Sequence, residues 1–67
     1  MTTYSVASPV VGALQVHVDG CAHLPRLFAR GGGVLSDGHP SALDALTWAR
    51  FDDARAKLAP CAKAAAK

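Results

Sequence analysis

The residues of this chain with the most chemistry in them are two cysteines and three histidines among 67 residues. His17-Val18-Asp19-Gly20-Cys21-Ala22-His23 puts three soft ligands into one short stretch, and Cys61 stands alone near the other end. Zinc takes Cys thiolate at about 2.3 Å and His nitrogen at about 2.0–2.1 Å, and closed structural sites use four such ligands in a tetrahedron. His17, Cys21 and Cys61 supply three. For the fourth, His23 is preferred, because it reaches the same point if Ala22 sits in a turn; His39 is the alternative, and water fills the position if neither arrives. The competing readings are plain ones. His17 suits a solvated position on the outer face of an edge strand, His23 a surface turn, and Cys61 a small buried hydrophobe. A Cys21–Cys61 disulfide would close a long loop and contribute roughly 4 kcal/mol on the chain-entropy model. A Cys21–His17 pair has the elements of thiolate and base. Nothing in the sequence supplies an oxyanion site or an orienting third group, so the expectation is a protein that is not an enzyme.

The elements that must position these ligands come from a small and thinly cored chain. At this length a hydrophobic core is marginal and a staple is expected. Apolar residues make up 51% of the sequence but aromatics only 6%, and much of the apolar share is alanine. The net charge of +2 is too small to imply a nucleic-acid partner by itself. No stretch approaches the roughly 18 apolar residues of a membrane span, and Met1-Thr2-Thr3-Tyr4 lacks the character of a signal peptide. The expected location is cytoplasmic, where thiols and metal ligands are favoured over disulfides.

Residues 4–7 and 13–18 read as strands of a hairpin, with Pro9 and Gly12 in the turn between them. Period-two alternation sends Leu14, Val16 and Val18 to the core and Ala13, Gln15 and His17 to the opposite face. Asp19-Gly20 then turns the chain, Gly20 taking a positive φ, and folds Cys21 back towards His17. Residues 22–29 form a short helical knuckle. Residues 30–40, with three consecutive glycines, read as the least ordered segment, and they lack the lysine and Ser/Thr of a phosphate-binding loop. Ser41 with Asp44 resembles a capping box opening a helix whose buried face is Leu43 and Leu46. Beyond it two readings compete: one helix to Ala59, flawed by Arg50 and Lys57 inside its apolar stripe, or a short strand over 47–51 followed by a helix capped by Asp52. The second is preferred, with Ala54 and Leu58 facing inward. Pro60 then stops or kinks the chain at Cys61, and the alanine-rich tail has helix propensity but little to bury.

Laid out in this way, the chain resembles the metal-binding domain of the Ada DNA-repair protein and related small zinc modules of bacteria and phages. The segments carrying the likeness are His17-Val18-Asp19-Gly20-Cys21 and Phe51-Asp52-Asp53-Ala54-Arg55-Ala56-Lys57-Leu58-Ala59-Pro60-Cys61, about half of the chain. The resemblance implies that His17, Cys21 and Cys61 stand where that family has three of its ligands. Ala64 stands where the fourth cysteine belongs, and His17 replaces the cysteine that accepts the methyl group, so methyl transfer is not implied. The middle segment is also longer than the family's, and the glycine usual before Pro-Cys is absent.

The resulting expectation is a single α+β domain over residues 1–67, a small zinc-stapled module with an N-terminal β-hairpin and two short helices. Its metal, Zn, is held by His17, Cys21, His23 and Cys61. Its expected role is to bind another macromolecule, a protein in preference to nucleic acid, through Trp48, Arg50, Arg55 and Lys57. The alternative is a metal-free, self-associating protein that buries Trp48, Phe51, Leu43 and Leu46 against a partner. A DNA-binding version would use Arg26, Arg50, Arg55 and Lys57, although these residues and Arg30 are most simply a solvated surface.

Overall fold

The computed structural model describes residues 2–65. It is an α+β fold with seven elements: β1 (Tyr4–Ser8), β2 (Gln15–Val18), α1 (His23–Ala29), β3 (Gly33–His39), α2 (Ala42–Asp52), β4 (Lys57–Leu58) and α3 (Pro60–Ala65). One four-stranded sheet runs in the order β3-β1-β2-β4. The expected hairpin is present, with β1 antiparallel to β2 in the register Tyr4–Val18, Ser5–His17, Val6–Val16 and Ala7–Gln15. Among the described residues there are three helices rather than two.

The core lies between one sheet face and α2. Val6 and Val16 are completely buried, and Tyr4, Leu14, Ala42, Ala45, Ala49, Ala56 and Ala62 join them. The expected leucine face of α2 is corrected. Leu43 is 73% exposed, and Leu46 is only partly buried at the margin, because alanines at 42, 45 and 49 form the inward stripe. Spacings of three and four put those alanines on one side of a helix, and their small side chains let its backbone approach the sheet.

The same helix overturns the preferred reading of residues 47–51 as a strand. Ser41 caps α2 through its side chain, which accepts from the Asp44 N–H at 3.0 Å as the sequence implied, but the helix then runs without interruption to Asp52. Thr47 lies within it, its hydroxyl donating to the Leu43 carbonyl one turn back. Asp52 is the last helical residue and caps no new helix. Ala54, expected to face inward, is exposed, and Leu58 is half-buried.

The chain after α2 is extended because the edge of β2 offers it partners. The Lys57 N–H donates to the Leu14 carbonyl and the Ala59 N–H to the Val16 carbonyl, making β4 a parallel neighbour of β2. Backbone pairing with that edge outweighs the helix propensity of Ala54, Arg55, Ala56 and Lys57, a tertiary effect that local sequence does not carry. Arg50 supports the bend, its Nε donating to the Ala56 carbonyl at 3.3 Å.

The glycine-rich segment is also more regular than its composition implies. Gly33–His39 forms the edge strand β3, antiparallel to β1, with register shifts between Tyr4 and Ala7 that mark a bulge. Gly38, at φ 71°, lies in this irregular part. Gly32 is required by close approach: an added Cβ would stand 2.7 Å from the Ser8 carbonyl oxygen and would run into Leu27. Gly32 thus lies close to both Leu27 of α1 and the end of β1.

Candidate metal centre

His17 lies in the middle of β2, an interior strand flanked by β1 and β4. Alternation turns it away from the Val6–Val16 core, yet it is only 3% exposed. The solvated edge-strand reading of this residue is thereby corrected. The covering comes from the chain on either side: the turn that carries Cys21 and the start of α3 that carries Cys61.

The turn forms as the sequence predicts. The Cys21 N–H donates to the Val18 carbonyl at 3.0 Å, and Gly20 sits at φ 78° in the third position, as a type II turn requires. Asp19 is fixed by the Thr3 and Ser5 hydroxyls, both of which donate to its carboxylate. Cys21 consequently returns to His17, with Sγ 3.5 Å from Nδ1.

Cys61 arrives by a longer route. Parallel pairing of β4 with β2 carries the chain along the strand, and Pro60, whose fixed φ suits the first position of a helix, opens α3. Ala62 turns into the core, while Cys61 Sγ lies 3.6 Å from His17 Nδ1 and accepts from the Val18 N–H at 3.5 Å. Burial pushes the Cys61 thiol above its ordinary value, and the adjacent Cys21 sulfur adds to that rise; the N–H groups of Val18 and Ala62 oppose it. No disulfide joins Cys21 to Cys61, so that alternative is not formed.

The ligand atoms of His17, Cys21 and Cys61 all lie within 4.8 Å of one another. On the far side of the ring, His17 Nε2 meets the Gln15 side-chain oxygen at 3.0 Å. An oxygen acceptor there places the ring proton on Nε2 and directs the Nδ1 lone pair at the two sulfurs. This is the orientation that a polar partner on the second ring nitrogen gives to metal-binding histidines. Gln15 was not singled out from the sequence, although its i, i+2 relation to His17 on one strand face was the available signal.

The distances test the fit. With metal–sulfur and metal–nitrogen bonds of ordinary length at a tetrahedral angle, nitrogen and sulfur stand about 3.6 Å apart. The two observed separations are 3.5 and 3.6 Å. A shared cation serves all three. A hydrogen-bonded trio, one thiol donating to Nδ1 and the other to its neighbour's sulfur, also brings the sulfurs near the nitrogen, and metal uptake distinguishes the two.

The other singled-out residues lie elsewhere. The His23 side chain is outside the described residues; its backbone opens α1. His39 is not part of the cluster. It is buried at the end of β3, with Nε2 2.8 Å from the Ser36 hydroxyl and Nδ1 2.9 Å from the Asp44 carboxylate. Its ring is tilted 56° against that of Trp48, with centroids 5.8 Å apart. Trp48 remains 41% exposed. Arg50 is engaged by the Ala56 carbonyl, while Arg55 and Lys57 are exposed around β4. Ala64, where the Ada pattern has its fourth cysteine, is exposed on α3. No helix among the described residues is long and apolar enough to cross a membrane. Compared with family models, curated proteins and solved structures, the chain matches none.

Proposed function

We propose that His17, Cys21 and Cys61 hold a zinc ion with a structural role, in a module that binds another macromolecule and does not catalyse a reaction. The observation that supports this most is the near-equal approach of two thiols to one oriented, buried imidazole nitrogen. One nitrogen and two sulfurs form a donor set suited to zinc and poorly suited to the hard cations calcium and magnesium. The ion would tie the middle of β2 to the Asp19-Gly20 turn and to α3, replacing core that the alanine-rich interior lacks. His23, two residues after Cys21, or a water is the proposed fourth ligand. The resemblance to the Ada metal-binding domain fits this reading at three positions and departs from it at Ala64. The partner proposed is a protein rather than nucleic acid, since the net charge is only +2.

Native mass spectrometry with and without chelator tests the metal. One zinc per chain, lost together with part of the thermal stability on chelation, is the expected result. A folded protein that takes up no zinc ends the reading.

A metal-free, self-associating protein is the second reading, favoured by the exposure of Leu43 (73%) and Phe51 (89%) two turns apart on α2. In that case Phe51→Ser would convert an oligomer to a monomer in sedimentation, and Cys21→Ser with Cys61→Ser would leave the melting temperature unchanged.

A further inference from the structure

The second face of the sheet, opposite the alanine core, carries Gln15 and His17, and α1 stands over it at a distance. Between them is a cleft of about 640 Å³, within the range of about 300–1,000 Å³ typical of sites for small ligands or single side chains. Val10 and Leu27 give it apolar walls, Gln15 and His17 line its floor, and Arg26 and Arg30 give it charged groups. Arg26 and Arg30 are four residues apart and joined by the Arg30 N–H to Arg26 carbonyl bond at 3.3 Å, which places them on one side of α1.

The charge of this cleft is one-sided. No carboxylate lines it, and among the described residues neither arginine takes part in an ion pair. Two guanidinium groups beside apolar walls complement an anion attached to an apolar body. The planar donor fork of arginine matches a carboxylate in two parallel hydrogen bonds. Nucleic acid is a worse match, because phosphates would use the arginines and leave the apolar walls without a partner. An internal acidic side chain would bring its charge without a neighbouring apolar group fixed to the same residue. A chain terminus has both on one residue.

We propose that this cleft captures the C-terminal residue of a partner polypeptide, with Arg26 and Arg30 holding the carboxylate and Val10 and Leu27 receiving an apolar side chain. The inference deepens the binding role proposed above by giving the partner's chemistry, and it rests on that role but not on the metal.

The test is fluorescence anisotropy with labelled tetrapeptides ending in Leu, Val or Phe, each as the free acid and as the C-terminal amide, on the full chain with zinc supplied in the buffer. At least one free acid should bind, and its amide should bind about tenfold more weakly or worse. Arg26→Gln and Arg30→Gln should each weaken the free acid to a similar degree and leave the amide unaffected. Zinc content and thermal melting, measured on every variant, separate loss of the cleft from loss of the fold. Normal zinc uptake without peptide capture overturns this proposal alone, whereas absence of zinc with intact capture overturns only the metal reading. Equal binding of acid and amide, or no binding at millimolar protein, also overturns it. So does acetyl-leucine binding as tightly as the tetrapeptide, which identifies a small free acid, or displacement of the peptide by a short oligonucleotide, which identifies nucleic acid.

Discussion

Two histidines are buried among the described side chains, on opposite faces of one sheet, and their surroundings could hardly differ more. His39 shares the core face with Tyr4, its cross-strand partner, and each ring nitrogen meets an oxygen, from Ser36 and from Asp44. His17 shares the other face with Ser5, and one ring nitrogen meets an oxygen while the other faces two sulfurs. Oxygen partners on both sides consume the hydrogen-bonding capacity of an imidazole within the protein. The trio at His39 has the bond order of a serine-hydrolase relay, but in the fold it ties the bulged end of β3 to the first turn of α2, under Trp48. Two thiols instead leave a lone pair and two ionisable ligands directed at one point. Burial of a histidine therefore says little about its role; the hardness or softness of the atoms around it says most.

The contrast predicts that the two sites fail differently. The largest effect is expected at the cysteines. With free zinc at a thousandfold excess over Kd, the ion should stabilise the protein by about 4 kcal/mol, and Cys61→Ser should abolish that gain. Urea denaturation with and without chelator measures it. Equal metal-dependent stabilisation in wild type and Cys61→Ser would remove Cys61 from the site.

At the other face, His39→Ala should cost about 2–3 kcal/mol, from the cavity beside Trp48 and from polar partners left unmatched. Zinc stoichiometry should stay that of wild type. A loss of zinc in this variant would show that the two faces are coupled, and the contrast between them would fail.

A smaller effect sharpens the comparison within the His17 site. Gln15→Leu removes the oxygen that orients the ring, and zinc affinity should fall about 10- to 100-fold, as is usual when the partner of a ligating histidine is lost. Competition with a chromophoric chelator reads this directly.

The smallest effect concerns a loop apart from both histidines. Asp53 accepts from the Arg55 and Leu14 N–H groups, in that order of influence, and they hold its carboxyl below the ordinary 3.8. A group depressed on folding contributes stability above its unfolded pKa and loses that contribution as pH falls through the folded value. Stability should therefore decline as pH drops below about 3.8, and Asp53→Asn should flatten that part of the curve in acid titration followed by circular dichroism.

Half of the candidate site was legible in the sequence because its geometry is local. Strand alternation put Gln15 and His17 on the face away from Val16, and a glycine able to take positive φ after Asp19 returned Cys21 to within reach of His17. The Ser41–Asp44 cap was legible for the same reason. The burial of His17 was not, since it depends on segments distant in sequence that cover the second face.

The sequence by itself determined the identity of the soft ligands, the hairpin and the turn that joins His17 to Cys21, each set by contacts spanning a few residues. The sequence also pointed to Cys61, through its likeness to the Ada pattern, but only the tertiary structure decided how it reaches the other two. Its position depends on β4 lying parallel to β2, and that pairing arises because the open edge of β2 supplies carbonyls to the Lys57 and Ala59 N–H groups. It likewise decided that alanines rather than leucines of α2 face inward, because the distance between helix and sheet is fixed by packing across the whole core. A local pattern offers a chain several conformations, and partners remote in sequence select among them.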